Sequence, residues 1–387
     1  MAIGRRVLSA IAATPSALSG RMSAWQVNSY ETTPRLVLNA SARVPTIERP
    51  NDVLIQVHAA SINPLDVQMA DGFGRTVIGT LRQIDQKTIS PVLEFPVVLG
   101  RDCSGVVVDT GRSVKRFKPG DQVWCAIPAN RPGTFSQYVT ANSCSVARKP
   151  KNLSHTEAAS MPYVACTVWT ALRYAARINA ENSFGLNALV FGASGGIGTF
   201  AVQLLNTWGA SVTAVCRGDA FDLVKKLGAL NAVDYTTTDA WEQLVQNGPY
   251  DAILDPTFSS FSRRSPELLK SWRGSTYVSI TNPLLNDCDQ RGLVLGFLTS
   301  ATKFSKEFFK SLMNGRVYAW AYVIPDGRIL SELTRLVENN KIKPVIEKVF
   351  RFDELPSAFE KLAQGHARGK VVVEVVPDRG EKSKDGL

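Results

Sequence analysis

The chain has 387 residues, 44% hydrophobic and 20% charged, too long for one ordinary domain and rich enough in apolar side chains to bury a large core. No window approaches the ~18 consecutive apolar residues of a spanning helix, so no transmembrane segment is expected. The formal net charge of +10 could serve a nucleic-acid partner, but the basic residues are scattered and form no cluster interleaved with aromatics, so no nucleic-acid role is expected.

The opening MAIGRRVLSAIAATPSALSGRMSAW carries three arginines and four serines, with no acidic residue before Glu31. Ile3, Val7, Leu8 and Ile11 share one side of a helix with Arg5 and Arg6 off it, which is the chemistry of a mitochondrial transit peptide. Residues 1–22 are therefore read as a presequence and the mitochondrial matrix as the destination, with a merely floppy basic terminus as the alternative. Thr14, Pro15 and Ser16 interrupt the apolar run that a secretory signal needs. The six cysteines include no CxxC pair, and His58, His155 and His366 are the only histidines. No grouping has metal-ligand spacing, and the cysteines read as reduced and mostly buried.

From about Trp25 to Arg148 the pattern is short, β-rich and punctuated by Gly and Pro. VLIQVH (53–58), GVVVD (105–109) and QVWCA (122–126) read as strands of a compact barrel-like domain, with helical periodicity nearly absent. His155 reads as a surface residue near a helix start. From Asn187 strands and helices alternate: NALVF (187–191), a glycine turn, an amphipathic helix over 197–208, SVTAVCR (211–217), a helix over 220–227, and strands at 232–235, 251–255 and 275–280. This order predicts a parallel sheet with right-handed crossovers. VYAWAYV (317–323) suits its last strand. A helix at 329–337, a strand at 345–350, a helix at 356–364 and KVVVEVV (370–376) follow and are expected to return to the first domain. Residues 377–387 are expected to be disordered.

The turn GASGGIG (192–198) lies between an apolar strand and an amphipathic helix, the context that makes a glycine motif specific. Gly195 and Gly196 let backbone N–H groups approach a pyrophosphate, and Ser194 can add a hydroxyl donor. Gly198 allows close helix–strand packing, and the helix N-terminus favours an anion. At the end of the second strand an NAD site places an acidic residue, whereas Cys216-Arg217-Gly218 stand here. Arg217 can pair with a 2′-phosphate, which favours NADPH; Asp219, two residues on, is a competing partner for that arginine.

The segments HAASINPLDVQMADG (58–72), FPVVLGRDCSGVVVDTGRSVKRFKPGDQVW (95–124), AASMPYVACTVWTAL (158–172), GASGGIG and KLGALNAVDY (226–235) resemble the medium-chain dehydrogenase/reductase superfamily in its zinc-free quinone-oxidoreductase branch. The ending GHARGKVVVEVV (365–376) and the block LGRDCSGVV are most similar to the mitochondrial reticulon-interacting oxidoreductases. The resemblance implies an α/β chain with a GroES-like β-rich domain over 23–160, a doubly wound parallel-sheet Rossmann domain over 161–323, and a return to the first domain over 324–376. It implies NADPH as cofactor, a quinone-like acceptor, and a link to coenzyme Q metabolism or a reticulon. Zinc-dependent members have a Cys near the SINPLD segment and Gly-His-Glu in the long glycine block. Asn63 and Gly100-Arg101-Asp102 stand there instead, and the structural-zinc lobe is missing, so no metal is expected.

By the same resemblance Ser194, Gly195, Gly196, Ile197 and Gly198 hold the pyrophosphate, and Arg217 and Tyr235 the adenosine end. Thr281 and Tyr322 lie on the nicotinamide side, and His366, Ala367 and Arg368 reach back to the cofactor. Asn63 either orients the nicotinamide ribose or an acceptor carbonyl, or simply closes a turn before Pro64. Tyr163 is a candidate proton donor or a packing residue. Two alternatives remain open. One is an NADPH-binding interaction protein with weak turnover. The other is a mitochondrial enoyl-thioester reductase, against which Phe73 stands where that relative has a proton-donating tyrosine.

Overall fold

The computed structural model describes residues 20–30, 35–257 and 260–376. The expected presequence lies outside them except for 20–22, and Arg21 and Met22 already belong to the first strand, β1 (Arg21–Val27). The expected C-terminal tail also lies outside.

The first domain is built on hairpins. β1, β2 (Val37–Arg43) and β4 (Val97–Val98) make a three-stranded sheet in the order β2-β1-β4. The long β3 (Asp52–Ile62) is central to a seven-stranded sheet. On one edge of it lies β5 (Asp102–Thr110), then β6 (Gln122–Ala126) and β8 (Val146–Arg148), and β7 (Tyr138–Asn142) also pairs with β3. On its other side come β16 (Lys370–Glu374) and β15 (Ile346–Arg351), from the end of the chain. Val53, Ile55, Val57, Val371 and Val373 alternate inward and share one core, which is why these strands face each other.

Two helices break the expected all-β reading of this region. Pro64 begins α1 (Pro64–Ala70), and Asp66 accepts the Asn63 backbone N–H at 2.9 Å, so the N-P-x-D spacing is itself a helix start. The amphipathic α2 (Arg75–Gln86) buries only Ile78, so little of its apolar stripe is committed to the core.

α3 (His155–Ala159), capped by Ser154, and α4 (Pro162–Trp169) lead into the second domain. His155 is buried, not on the surface as expected: its Nδ1 lies 2.8 Å from Ser104 Oγ and its ring centre lies 4.3 Å from that of His58, the planes tilted by 31°. Burial, reinforced by His58 and Lys149, pushes its pKa from the ordinary 6.5 down to about 3. The native state then holds this imidazole neutral where the unfolded chain protonates it, so stability is expected to fall as pH drops from about 6.5 towards 3. Urea midpoints across that window check this: His155→Asn, which cannot charge, should show a shallower fall than the native chain.

The second domain is a six-stranded sheet, all parallel, in the order β11-β10-β9-β12-β13-β14. Its strands are β9 (Asn187–Val190), β10 (Ser211–Cys216), β11 (Asn231–Asp234), β12 (Ala252–Asp255), β13 (Thr276–Ser279) and β14 (Val317–Trp320). Helices α5 (Gly196–Thr207), α6 (Phe221–Lys226) and α7 (Ala240–Asn247) make the crossovers between them. Successive side chains go to opposite faces. Ala188, Val190, Val212 and Leu254 join one core with α4 and α5, while Leu189, Phe191, Val215 and Ile253 join another with α7. The expected α/β class, a GroES-like domain with a doubly wound Rossmann sheet, is therefore the observed one. The chain doubles back between β9 and β12, the switch point beside which open α/β sheets bind ligands.

Between β13 and β14 run α8 (Leu284–Arg291) and the 21-residue α9 (Leu293–Met313), which the sequence pattern did not reveal because its buried positions are Gly296, Ser300 and Ser311 while Val294, Leu295, Phe297 and Leu298 are exposed. Asp289 of α8 accepts the Gly74 and Thr76 N–H groups at 2.5 and 2.9 Å, capping α2 from the other domain. The amphipathic α10 (Gly327–Glu338) and α11 (Leu355–Ala363) flank the return to the first domain. Among the described residues no helix is long and apolar enough to cross a membrane.

Candidate cofactor and reduction site

The glycine turn follows β9 directly. Gly192 adopts φ +56, a conformation that disfavours other residues. Gly195 is the N-cap of α5, and the helix's first N–H groups, beginning at Gly196, point out unpaired by helix geometry. Gly198 is packed so closely that a Cβ would sit 2.2 Å from Gly192 O.

A cavity of about 520 Å³ opens in front of this turn, and both domains line it. Ser194, Gly195, Gly196, Ile197, Gly198, Arg217 and Tyr235 line it from the Rossmann side. His366, Ala367 and Arg368 close over it, and Asn63 and Tyr163 lie at its far wall. Two anticipated residues fall elsewhere. Thr281 is exposed beyond the end of β13, its carbonyl accepting from Ser279 Oγ at 2.7 Å. Tyr322 lies past β14, which stops at Trp320, and lines a different cavity of about 980 Å³ along β14 and α9 that shares none of the glycine-turn residues.

The C-terminal segment is fastened to the turn. The Gly369 N–H donates to Ser194 O at 2.9 Å, and the Arg368 guanidinium donates to Ser194 Oγ at 3.2 Å and to Asp219 Oδ1 at 2.5 Å. Asp219 is thus engaged by Arg368, leaving Arg217 exposed at the mouth of the cavity. Asp234, held low by hydrogen bonds from Thr236 and Gly218 and by Arg217, stays ionised nearby.

The far wall is a buried polar cluster. Asn63 is 1% exposed, yet its side chain does not cap α1. Its Nδ2 donates to Asp102 Oδ1 at 3.2 Å, and its Oδ1 accepts from Lys370 Nζ at 2.5 Å. Asp102 also accepts from Ser61 Oγ at 2.7 Å and from the Tyr163 N–H at 3.2 Å. Behind it the Arg101 guanidinium, 1% exposed, lies 3.6 Å from Asp66 and donates to the carbonyls of Pro128, Arg131 and Val98. Burial raises the Asp66 carboxyl to about 6 against the pull of Arg101, and raises Asp102 despite Lys370. Burial lowers the Lys370 ammonium, and burial with the two aspartates pushes the Tyr163 phenol up. Cys166 is buried and pushed up to about 12, so it holds no thiolate at neutral pH.

Lys370 escaped the sequence reading although it ends the GHARGK motif, because only its pairing with the distant end of β3 distinguishes it from a surface strand lysine. Phe191, Thr257 and Phe261 also line the cavity, with no sequence signal beyond apolar patterning.

Two family models match this chain: "Alcohol dehydrogenase GroES-like domain" over residues 49–151 and "Zinc-binding dehydrogenase" over residues 227–373. The mitochondrial NAD(P)H oxidoreductase RTN4IP1 of Mus musculus is 44% identical over 94% of this chain and 91% of its own length. The chain belongs to this family, within the medium-chain dehydrogenase/reductase superfamily. Another relative, mitochondrial reticulon-4-interacting protein 1 of Caenorhabditis elegans, is 39% identical over 85% of this chain and 90% of its own length. Among solved structures, the quinone oxidoreductase from Coxiella burnetii superposes with TM-score 0.72 at 26% identity, covering 92% of this chain and 99% of that one. Among the described residues no group of three or more His, Cys, Asp or Glu could hold a metal, and Lys370 places an ammonium beside Asn63 and Asp102. A dinucleotide does fit, with the open N-terminus of α5 facing a cavity that ends in Arg217.

Proposed function

We propose that this protein is a zinc-independent mitochondrial oxidoreductase that transfers hydride from NADPH to a quinone or an activated carbonyl or alkene acceptor. The observation carrying this reading is the arginine arrangement: Arg368 takes Asp219, so Arg217 remains at the cavity mouth for a 2′-phosphate. The relatives' names, NAD(P)H oxidoreductase and quinone oxidoreductase, support the reaction class, and the word mitochondrial in them supports the location. A matrix site reached through a presequence at 1–22, a role in coenzyme Q biosynthesis and contact with a reticulon belong to the same reading.

When bound, the nicotinamide supplies the hydride. The N–H groups opening α5 and the Ser194 hydroxyl hold the pyrophosphate, Tyr235 and Arg217 the adenosine end, and His366, Ala367 and Arg368 cover it. Asn63, kept in one orientation by Asp102 and Lys370, is the polar group facing the reacting end, with Tyr163 beside it. Alignment of acceptor and cofactor in this closed cleft provides most of the rate gain.

The test is oxidation of NADPH and of NADH by the purified chain with a soluble quinone, in the presence of a chelator. NADPH should be consumed at a chelator-independent rate. Arg217→Ala should weaken NADPH by about 10–100-fold, as expected for losing a charge-assisted bond of about 1.5–3 kcal/mol, and leave NADH nearly unchanged. Equal effects on both cofactors, or no quinone reduction, would refute the proposal.

A further inference from the structure

Lys370 is a buried titratable group in the wall of the cleft, beside Asn63. It opens β16, is 6% exposed, and lines the cavity. Its stem lies against the glycine turn, since a Cβ on Gly196 would come within 2.6 Å of Lys370 Cδ. Its ammonium bonds within its own domain, donating to Ile62 O at 3.1 Å and to Asn63 Oδ1 at 2.5 Å at the neighbouring end of β3. An ammonium has three N–H donors, so two acceptors leave one proton for the cleft. The charged groups acting on it are Asp102 at the start of β5 and Asp66 behind that strand end; Arg101 is the neighbour of Asp66, and Tyr163 on α4 lines the same cavity.

We propose that Lys370 is the proton donor of the reduction. The assignment rests on the hydride-transfer reading above. The acceptor gains a hydride and its electron pair, leaving negative charge on an oxygen. A Lys370 N–H bond then breaks and its proton forms an O–H bond there. The neutral amine stays bonded to Asn63 and regains a proton from water once product leaves, so each cycle consumes one cofactor hydride and one solvent proton. A general acid works best when its pKa lies near the ambient pH. Burial draws the lysine down towards that range while it drives the Tyr163 phenol away.

The experiment compares the full-length native chain with Lys370→Met, which keeps length and apolar stem, and Lys370→Arg, which keeps charge but not titration. NADPH affinity is read by cofactor fluorescence, single turnover with 1,4-naphthoquinone by absorbance, and the lysine proton by 15N resonance in the NADPH complex. Both variants should bind NADPH within about threefold of native and turn over on the order of 100-fold more slowly, in line with a lost general acid. The native alkaline fall in rate should vanish in Lys370→Arg. The native resonance should titrate below the ordinary lysine value. Native turnover in Lys370→Met, a proton retained to the ordinary lysine value, or a loss of NADPH affinity matching the loss of rate would overturn the assignment. A native protein that binds NADPH but leaves naphthoquinone unreduced would instead refute the hydride-transfer reading.

Discussion

Gly195→Asp is expected to abolish tight NADPH binding, by about 100-fold or more given the several kcal/mol that apposed like charges cost, while leaving the protein folded. Gly195 has φ −82 and ψ 178, ordinary for any residue, and an added Cβ would meet nothing nearer than Gly192 O at 3.5 Å. It is the N-cap of α5, where aspartate is a favoured residue. The fold therefore tolerates the carboxylate, and only a phosphate arriving at the same N–H groups is repelled. Gly198→Ala should do the reverse of this separation. Its Cβ would sit 2.2 Å from Gly192 O and 2.5 Å from Ala193 Cα, backbone that cannot yield. A loss of about 1–3 kcal/mol from overpacking, with a lower melting temperature and weaker binding together, is the expected outcome. Equilibrium NADPH titration and thermal unfolding on both variants check the pair; equal loss of stability in both would remove the argument for an open phosphate site at Gly195.

Arg101→Met should be the most destabilising change at the far wall, by about 3–5 kcal/mol for leaving a buried charge without its partner. The guanidinium is 1% exposed and joins Asp66 to the carbonyls of Val98 at the end of β4 and of Pro128 and Arg131 in the turn after β6. Asp66 in turn holds the Asn63 and Gly100 N–H groups at 2.9 and 3.0 Å, so the arginine supports the loop that presents Asn63. Asp66→Asn added to Arg101→Met should recover part of the loss, since the neutral amide needs no counter-charge. Denaturant midpoints of the two singles and the double read this coupling; strictly additive losses would mean that the pair does not act as one unit.

The Rossmann half was readable because its strands are buried on both faces, which makes NALVF and DAILD continuous apolar runs, and because the glycine turn sits between one such run and an amphipathic helix. Arg217, expected at the end of the second strand, does follow β10 and line the cavity. The far wall was not readable. Asn63 alone supported two readings, and only the distances to Asp102 and Lys370 show a side chain turned away from the helix it precedes. Lys370 lies 307 residues from Asn63, and no local pattern encodes such a contact. Thr281 and Tyr322 were placed near the nicotinamide by resemblance; they follow the carboxyl ends of β13 and β14, and neither lines the cavity in front of the glycine turn. His155 looked exposed because His-Thr-Glu is a polar helix start, while its burial comes from Ser104 and His58 on other strands.

The placement of β16 also bears on how the chain is made. This strand lies between β15 and β3 within the first domain's larger sheet, with Val371 to Glu374 paired to Ile62 through Ala59. Domains generally fold as units in order of synthesis. Here the domain that leaves the ribosome first must wait for residues near the very end, and the Rossmann sheet, complete by Trp320, can form before it. A chain ending between Trp320 and Lys370 would keep all six parallel strands but leave the Ala59–Ile62 end of β3 without its β16 partner, and an unpaired strand edge is a template for aggregation.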